Sequence, residues 1–195
     1  IFSKDPKAGG TWYVVDENGT VLVLLNGADE KHQLQLPYRK SRGLIVLDMI
    51  GSASPKEFWN EIDLAKIEPF TLILFQQKKL YQLRWDGTVK NRIELETNKN
   101  HVWSSSTLYS KEIREQRSNW FYTFLDSNPE IDETKMLHFH RYTEEDNNDH
   151  GLIINRNEEL KTLSITQSIV EKNKVVILHC DLIANENFST SFITV

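Results

Sequence analysis

The side chains of this chain that could do chemistry lie in three places. The single Cys180 stands in Val175-Val176-Ile177-Leu178-His179-Cys180-Asp181. A nucleophilic cysteine needs an exposed, electropositive setting that favours the thiolate. This apolar run reads instead as a strand in which the thiol is a small buried hydrophobe. His138 and His140 flank Phe139, and Glu144, Glu145, Asp146 and His150 follow shortly. Imidazoles and carboxylates are metal ligands, but residues two apart on a helix point to different sides, and a shared ion needs i and i+4 spacing. The stretch reads as a helix followed by a solvated acidic turn, with no metal and no other cofactor expected. The third place is Gly9-Gly10-Thr11-Trp12, followed fourteen residues after Trp12 by Asn26-Gly27. Adjacent glycines permit backbone conformations and close approaches that a Cβ forbids. Taken by itself, Asn26 reads as the cap of a turn before Gly27.

These residues need elements to hold them. Thr11–Val15 and Val21–Asn26, joined by a turn ending in Asn18-Gly19, read as a β-hairpin. The second run is apolar almost throughout, which predicts burial on both faces. Ala28–Lys40 is polar and reads as a loop. Ser41 starts a helix through about Ile50, with Gly51 as its stop. Ser54-Pro55-Lys56-Glu57 has the spacing of a capping box with Pro at the first helical position. It opens a helix expected to reach about Lys66, with Phe58, Ile62 and Ala65 on its apolar face. Strands are expected at Phe70–Gln76, Lys79–Trp85 and Thr88–Glu94, with turns at Lys78 and Asp86-Gly87. Helices are expected from Ser110 to about Ser127 and over Asp132–Tyr142. Gly151–Ile154, Thr162–Val170 and Val175–Leu182 are the closing strands, and Asn155-Arg156-Asn157-Glu158 is a surface turn. The order of strands and helices gives an α+β protein with mostly antiparallel sheet.

Size and charge exclude several classes. A chain of 195 residues with 39% hydrophobic and 26% charged residues is an ordinary globular composition, and its length fits one domain. The net charge of −5 offers no basic stripe for nucleic acid. No run is long and apolar enough to span a bilayer, and no signal peptide is visible, so the expected location is the cytoplasm. One cysteine cannot form an internal disulfide. Asn18-Gly19-Thr20 and Asn187-Phe188-Ser189 fit the glycosylation pattern and are read as chance matches.

Lys7-Ala8-Gly9-Gly10-Thr11-Trp12, the hairpin after it and the terminal Asn26 resemble the central motif of the NRDE family, also called the transport-and-Golgi-organisation family. Further segments resemble it in the same order. These are Ser41-Arg42-Gly43-Leu44, Pro69-Phe70-Thr71-Leu72-Ile73, His101 to Tyr109 with its Trp103-Ser104-Ser105, and Lys161 to Gln167. Together they extend over most of the chain. The Asn-Arg-Asp-Glu motif and the N-terminal Cys that the family carries ahead of its double glycine are not in this sequence, which opens at Ile1. The resemblance implies a single domain over residues 1–195, incomplete at its N-terminus. It implies an αββα four-layer sandwich of the N-terminal nucleophile hydrolase type, with N-terminal strands missing.

In that fold a free N-terminal Cys, Ser or Thr attacks an amide, with its own α-amino group as base. Ile1 carries no nucleophile, so the resemblance places the expected Cys upstream. Asn26 matches an asparagine that helps to bind the oxyanion in related acylases, and Ser105 aligns with a second donor that is often an asparagine. Gly9, Gly10, Thr11 and Trp12 would border the substrate. The implied activity is hydrolysis of a non-peptide amide C–N bond in a small amide or acyl substrate. The alternative implied by the same scaffold is a non-catalytic protein that binds or traffics haem or acyl lipids.

Overall fold

The chain folds as α+β with antiparallel sheets, and it divides into two units, Ile1–Ser110 and Lys111–Val195. The computed structural model describes residues 1, 4–5 and 8–194; Lys7, which opens the segment Lys7-Ala8-Gly9-Gly10-Thr11-Trp12, lies outside the described residues.

In the first unit, β1 (Tyr13–Val15) and β2 (Val21–Asn26) form the hairpin that the sequence predicts. Asp16 Oδ1 accepts the main-chain N–H groups of Asn18 at 2.9 Å and Thr20 at 2.7 Å. Gly19 takes the positive φ of 73° that closes the turn. Then come α1 (Arg42–Ile50), α2 (Pro55–Glu61), β3 (Phe70–Gln76), β4 (Lys79–Trp85) and β5 (Lys90–Leu95). The five strands are antiparallel in the order β1-β2-β3-β4-β5.

Strand alternation puts every second residue on one face. Val14, Leu22, Leu74 and Tyr81 make one cross-sheet row; Leu24, Leu72 and Leu83 make the next. Against them pack Ile45, Val46 and Met49 of α1 and Trp59 of α2. Each such buried side chain contributes roughly 1.5–3 kcal/mol relative to exposure. Trp59 meets Phe70 edge-on at 5.9 Å, and Trp85 Nε1 donates to Ile67 O at 2.9 Å, which satisfies the indole in the core. The hairpin is covered on the helix side, where Leu22 and Leu24 are buried. On the other side Val15 and Val21 are buried while Val23 and Leu25 are half-buried.

Two expectations shift here. The N-cap half of the expected box forms, with Ser54 Oγ accepting from Glu57 N at 3.5 Å, while the Glu57 carboxylate turns to Asn60 and Lys56. The helix α2 stops at Glu61 instead of continuing to about Lys66. Ile62 leaves the helical region with ψ 130°, and Lys90 Nζ donates to the carbonyls of Trp59, Asn60 and Ile62 at 2.9, 2.7 and 3.0 Å. A cation on the last carbonyls stabilises a helix end. Accordingly Ala65 is exposed, and Leu64 and Ile67 fill the core beside Trp59.

The second unit begins with α3 (Lys111–Ser127) and α4 (Glu133–Tyr142), capped by Asp132 Oδ1 accepting from Lys135 N at 2.7 Å. Phe139 joins the two helices, with ring centroids 5.7 Å from Phe121 and 4.7 Å from Phe124. The acidic stretch after α4 is a hydrogen-bonded turn, held by Asn147 N to Glu144 O at 3.0 Å and Gly151 N to Asn147 O at 2.8 Å. Gly151–Ile154, expected as a strand, is irregular. The short hairpin of β6 (Asn155–Arg156) and β7 (Leu160–Lys161) follows, turning through positive φ at Asn157 and Glu158.

A second antiparallel sheet is built from β8 (Ser164–Glu171), β9 (Lys174–Asp181) and β10 (Glu186–Ile193), in the order β10-β9-β8. β10 is not predicted from sequence, because Asn187, Ser189, Thr190 and Ser191 give it a polar composition; all of it but Phe192 is exposed. Gln167 Nε2 of β8 donates to Glu133 O of α4 at 3.0 Å. No helix among the described residues is long and apolar enough to cross a membrane.

Candidate functional site

The first unit holds a cleft of about 130 Å³ where the end of β2 meets the start of α1. Two glycines make that meeting possible. A Cβ built on Gly10 would lie 2.5 Å from Gly43 C, and one built on Gly43 would lie 2.8 Å from Thr11 N. With no side chains between them the two backbones touch, and Thr11 N donates to Gly43 O at 3.2 Å. Gly9 serves differently. It has open space around it but a φ of 72°, a conformation that other L residues adopt at a cost. Asp5 closes the loop beneath, with Gly9 N to Asp5 O at 2.8 Å, Asp5 N to Gly10 O at 2.8 Å, and Ala8 N to Asp5 Oδ1 at 3.0 Å.

Asn26 lies in the same cross-sheet row as Phe70 and Trp85, so its side chain is on the helix-facing side where the preceding members of its alternation, Leu22 and Leu24, are apolar. It lines the cleft, and its carboxamide makes no hydrogen bond to another described residue. Trp12 also lines the cleft and is 50% exposed, which puts the indole at the rim. Thr11 lines it too but is buried, and its hydroxyl is occupied: Oγ1 donates to Tyr13 O at 2.7 Å and accepts from Tyr13 N at 3.2 Å.

Ser105 comes to Asn26 by another route. Its Oγ donates to the main-chain oxygen of Asn26 at 2.7 Å and lies 3.0 Å from Thr107 Oγ1, which reaches the same oxygen at 3.4 Å. Gly27, at φ 88°, leaves room for this loop, since a Cβ there would overlap the Ser106 hydroxyl. Ser105 is not among the residues that line the cleft. Two of the implied site residues, Asn26 and Ser105, are therefore in direct contact, and the double-glycine turn is beside Asn26. The contact to Ser105 runs through the Asn26 backbone.

Ser41, Arg42 and Glu68 also line the cleft, although the sequence does not mark them as site residues. Arg42 Nη1 donates to Pro69 O at 3.2 Å and pairs with Glu68 Oε1 at 3.1 Å. The same carboxylate oxygen meets His32 Nε2 at 3.1 Å. Burial holds the Arg42 guanidinium below its ordinary value, and the neighbouring Glu68 and Tyr38 offset this only in part. Ser41 is the N-cap residue of α1, yet its side chain makes no capping bond and its buried Oγ has no partner. The available signal for Ser41 and Arg42 is the Ser41-Arg42-Gly43-Leu44 segment; nothing along the chain marks Glu68.

The other candidates are placed elsewhere. Cys180 is free and buried in β9. The turn carrying Glu144, Glu145 and Asp146 is exposed, and no three His, Cys, Asp or Glu side chains gather to hold a metal among the described residues.

No curated protein matches this chain. Residues 2–195 match Transport and Golgi organisation 2, and with that match over nearly its whole length the chain belongs to the Transport and Golgi organisation 2 family.

Proposed function

We propose that this protein is an amidohydrolase of the N-terminal nucleophile type, cleaving a non-peptide amide C–N bond in a small substrate. The single observation that carries the reading is the Asn26 carboxamide, without a protein partner among the described residues, on the wall of the cleft. A fixed amide donor facing the point where negative charge develops contributes strongly to acyl-transfer catalysis, because it stabilises the oxyanion without having to reorient. In this reading the nucleophile is a Cys preceding Ile1, and its sulfur bonds to the amide carbonyl carbon. Its α-amino group passes the thiol proton to the amine that leaves as the C–N bond breaks, and water then hydrolyses the thioester to the acid and the free thiol. Asn26 Nδ2 donates to the oxyanion. Ser105 fixes the Asn26 backbone from behind, and the turn of Gly9, Gly10, Thr11 and Trp12 forms the substrate's bed.

The reading includes a single domain of the four-layer αββα type. Support for that comes from each unit separately: an antiparallel sheet with helices packed on it, α1 on β1 and β2 in the first unit and α4 on β8 in the second. The cleft's volume of about 130 Å³ is well under the roughly 300 Å³ of a drug-sized pocket. It favours a small acyl or amide group over a macrocycle such as haem.

The test is turnover of small N-acyl amides by a chain that carries the upstream Cys, compared with its Asn26→Ala variant. Loss of about 10²–10³ in kcat with an unchanged melting temperature is expected for an oxyanion donor. Unchanged turnover would remove Asn26 from the chemistry. Ligand binding with no turnover at all would favour the non-catalytic binding protein.

A further inference from the structure

The Arg42 guanidinium is only partly used by the fold. Nη1 is fixed by Pro69 O and Glu68 Oε1, while the Nε and Nη2 groups make no hydrogen bond to another described residue. The side chain is 16% exposed, so this cation has lost much of its water without gaining a full set of acceptors. A guanidinium anchored at one nitrogen and open along its Nε–Nη2 edge matches the two oxygens of a carboxylate. Glu68 does not fill that role, since the oxygen it offers is shared between Nη1 and His32.

The surroundings add donors. Ser41 Oγ is buried in the same wall with no partner. The Arg42 and Gly43 N–H groups that open α1 have no carbonyl within the helix to receive them, whereas Leu44 N already donates to Ser41 O at 3.1 Å. That end of a helix favours negative charge. Trp12 and Leu24 supply an apolar wall in the same cleft, with the Asn26 carboxamide among them.

We propose that the cleft takes a small carboxylate that carries an amide, of the N-acyl amino acid class, with its carboxylate forked onto Nε and Nη2 of Arg42. The acyl arm lies against Trp12 and Leu24, and the amide carbonyl turns to Asn26. The amide rests on the amidohydrolase reading; the contact between carboxylate and Arg42 stands without it.

The experiment is titration of the full chain with N-acetylglycine and with the neutral N-acetylglycinamide, followed by calorimetry or ligand-observed NMR. The acid is expected to bind at least about tenfold more tightly than the amide, as a charge-assisted fork requires. Arg42→Lys keeps the charge and the ion pair with Glu68 but loses the fork; it should weaken the acid about tenfold and leave the amide unchanged. Arg42→Gln should erase the preference, and thermal melts of both variants check that they fold. If Arg42→Gln does not fold, the acid and amide comparison on the native chain and on Arg42→Lys decides. Equal affinity for acid and amide, binding of neither, or native-like acid binding by Arg42→Lys overturns the proposal. Neither probe has to be cleaved, so acid-selective binding without hydrolysis would remove the enzymatic reading alone.

Discussion

Gly10 and Gly43 meet backbone to backbone: a methyl group on Gly10 would lie 2.5 Å from Gly43 C, and one on Gly43 would lie 2.8 Å from Thr11 N. The contact ties the segment entering β1 to the first turn of α1, and the cleft is the space beside it. Gly10→Ala must push backbone against backbone and should cost about 2 kcal/mol, in the range of overpacking. Gly9→Ala meets no neighbour and pays only for its positive φ, about 1 kcal/mol. Denaturant titration of both variants checks the order. A larger loss for Gly9→Ala would mean that the close approach is easily relieved.

Lys90 reaches from β5 to three carbonyls at the end of α2. Lys90→Met keeps the aliphatic stem and removes the donors, and a loss of about 2 kcal/mol is expected for bonds to a charged group. Equilibrium unfolding measures it. A change below about 0.5 kcal/mol would assign the end of α2 to the Ile62 backbone alone.

Ser105→Ala separates two roles for that hydroxyl. As the anchor of Asn26 O it should cost about 1 kcal/mol of stability and reduce turnover far less than Asn26→Ala does. If kcat falls as much as for Asn26→Ala with no loss of stability, Ser105 acts on the oxyanion itself.

Asp181 provides a pH-dependent test in the second unit. The main-chain N–H groups of Ala184 and Ile183, both donating to its Oδ1, hold this carboxyl below the usual carboxylate range. A folded-state value below the unfolded one stabilises above the unfolded value, near 3.9, and that contribution is lost as pH falls through the lower folded value. Exchange protection of the Ile183 and Ala184 amides, corrected for intrinsic rate, should therefore drop on acidification below about pH 4. In Asp181→Asn it should stay flat across the same window. Identical profiles would remove the carboxylate from the turn.

Much of the first sheet was legible because its turns and strands signal themselves. Asn18-Gly19 and Asp86-Gly87 supply positive φ between runs of strand-forming residues, and the bounds of β2, β3 and β4 follow. α2 was overrun because Ile62 and Ala65 continue a helical period, while the cation that ends it comes from a strand twenty-eight residues beyond Ile62. β10 was missed for the opposite reason, being an exposed strand with almost no apolar alternation. At the site, Asn26 and the double glycine stand out locally. Arg42 comes beside Asn26 through the Gly10 and Gly43 contact, and Glu68 through the pairing of Asn26 with Phe70, neither of which spacing along the chain reveals.

Thr11 has a consequence for the open side of β1. Asp16 N and Trp12 O bond toward β2 and its turn, so Tyr13 and Val15 direct their main-chain groups away from β2. Val15 exchanges both of its bonds with Ile1, and Tyr13 exchanges both of its with the Thr11 hydroxyl. An exposed strand with unpaired amides is a template on which other chains aggregate. Here one threonine, placed two residues ahead, imitates a neighbouring strand at Tyr13 and leaves an incoming chain nothing to recruit there. The same threonine that follows the double glycine in Gly9-Gly10-Thr11-Trp12 thus works as an insulator for the sheet.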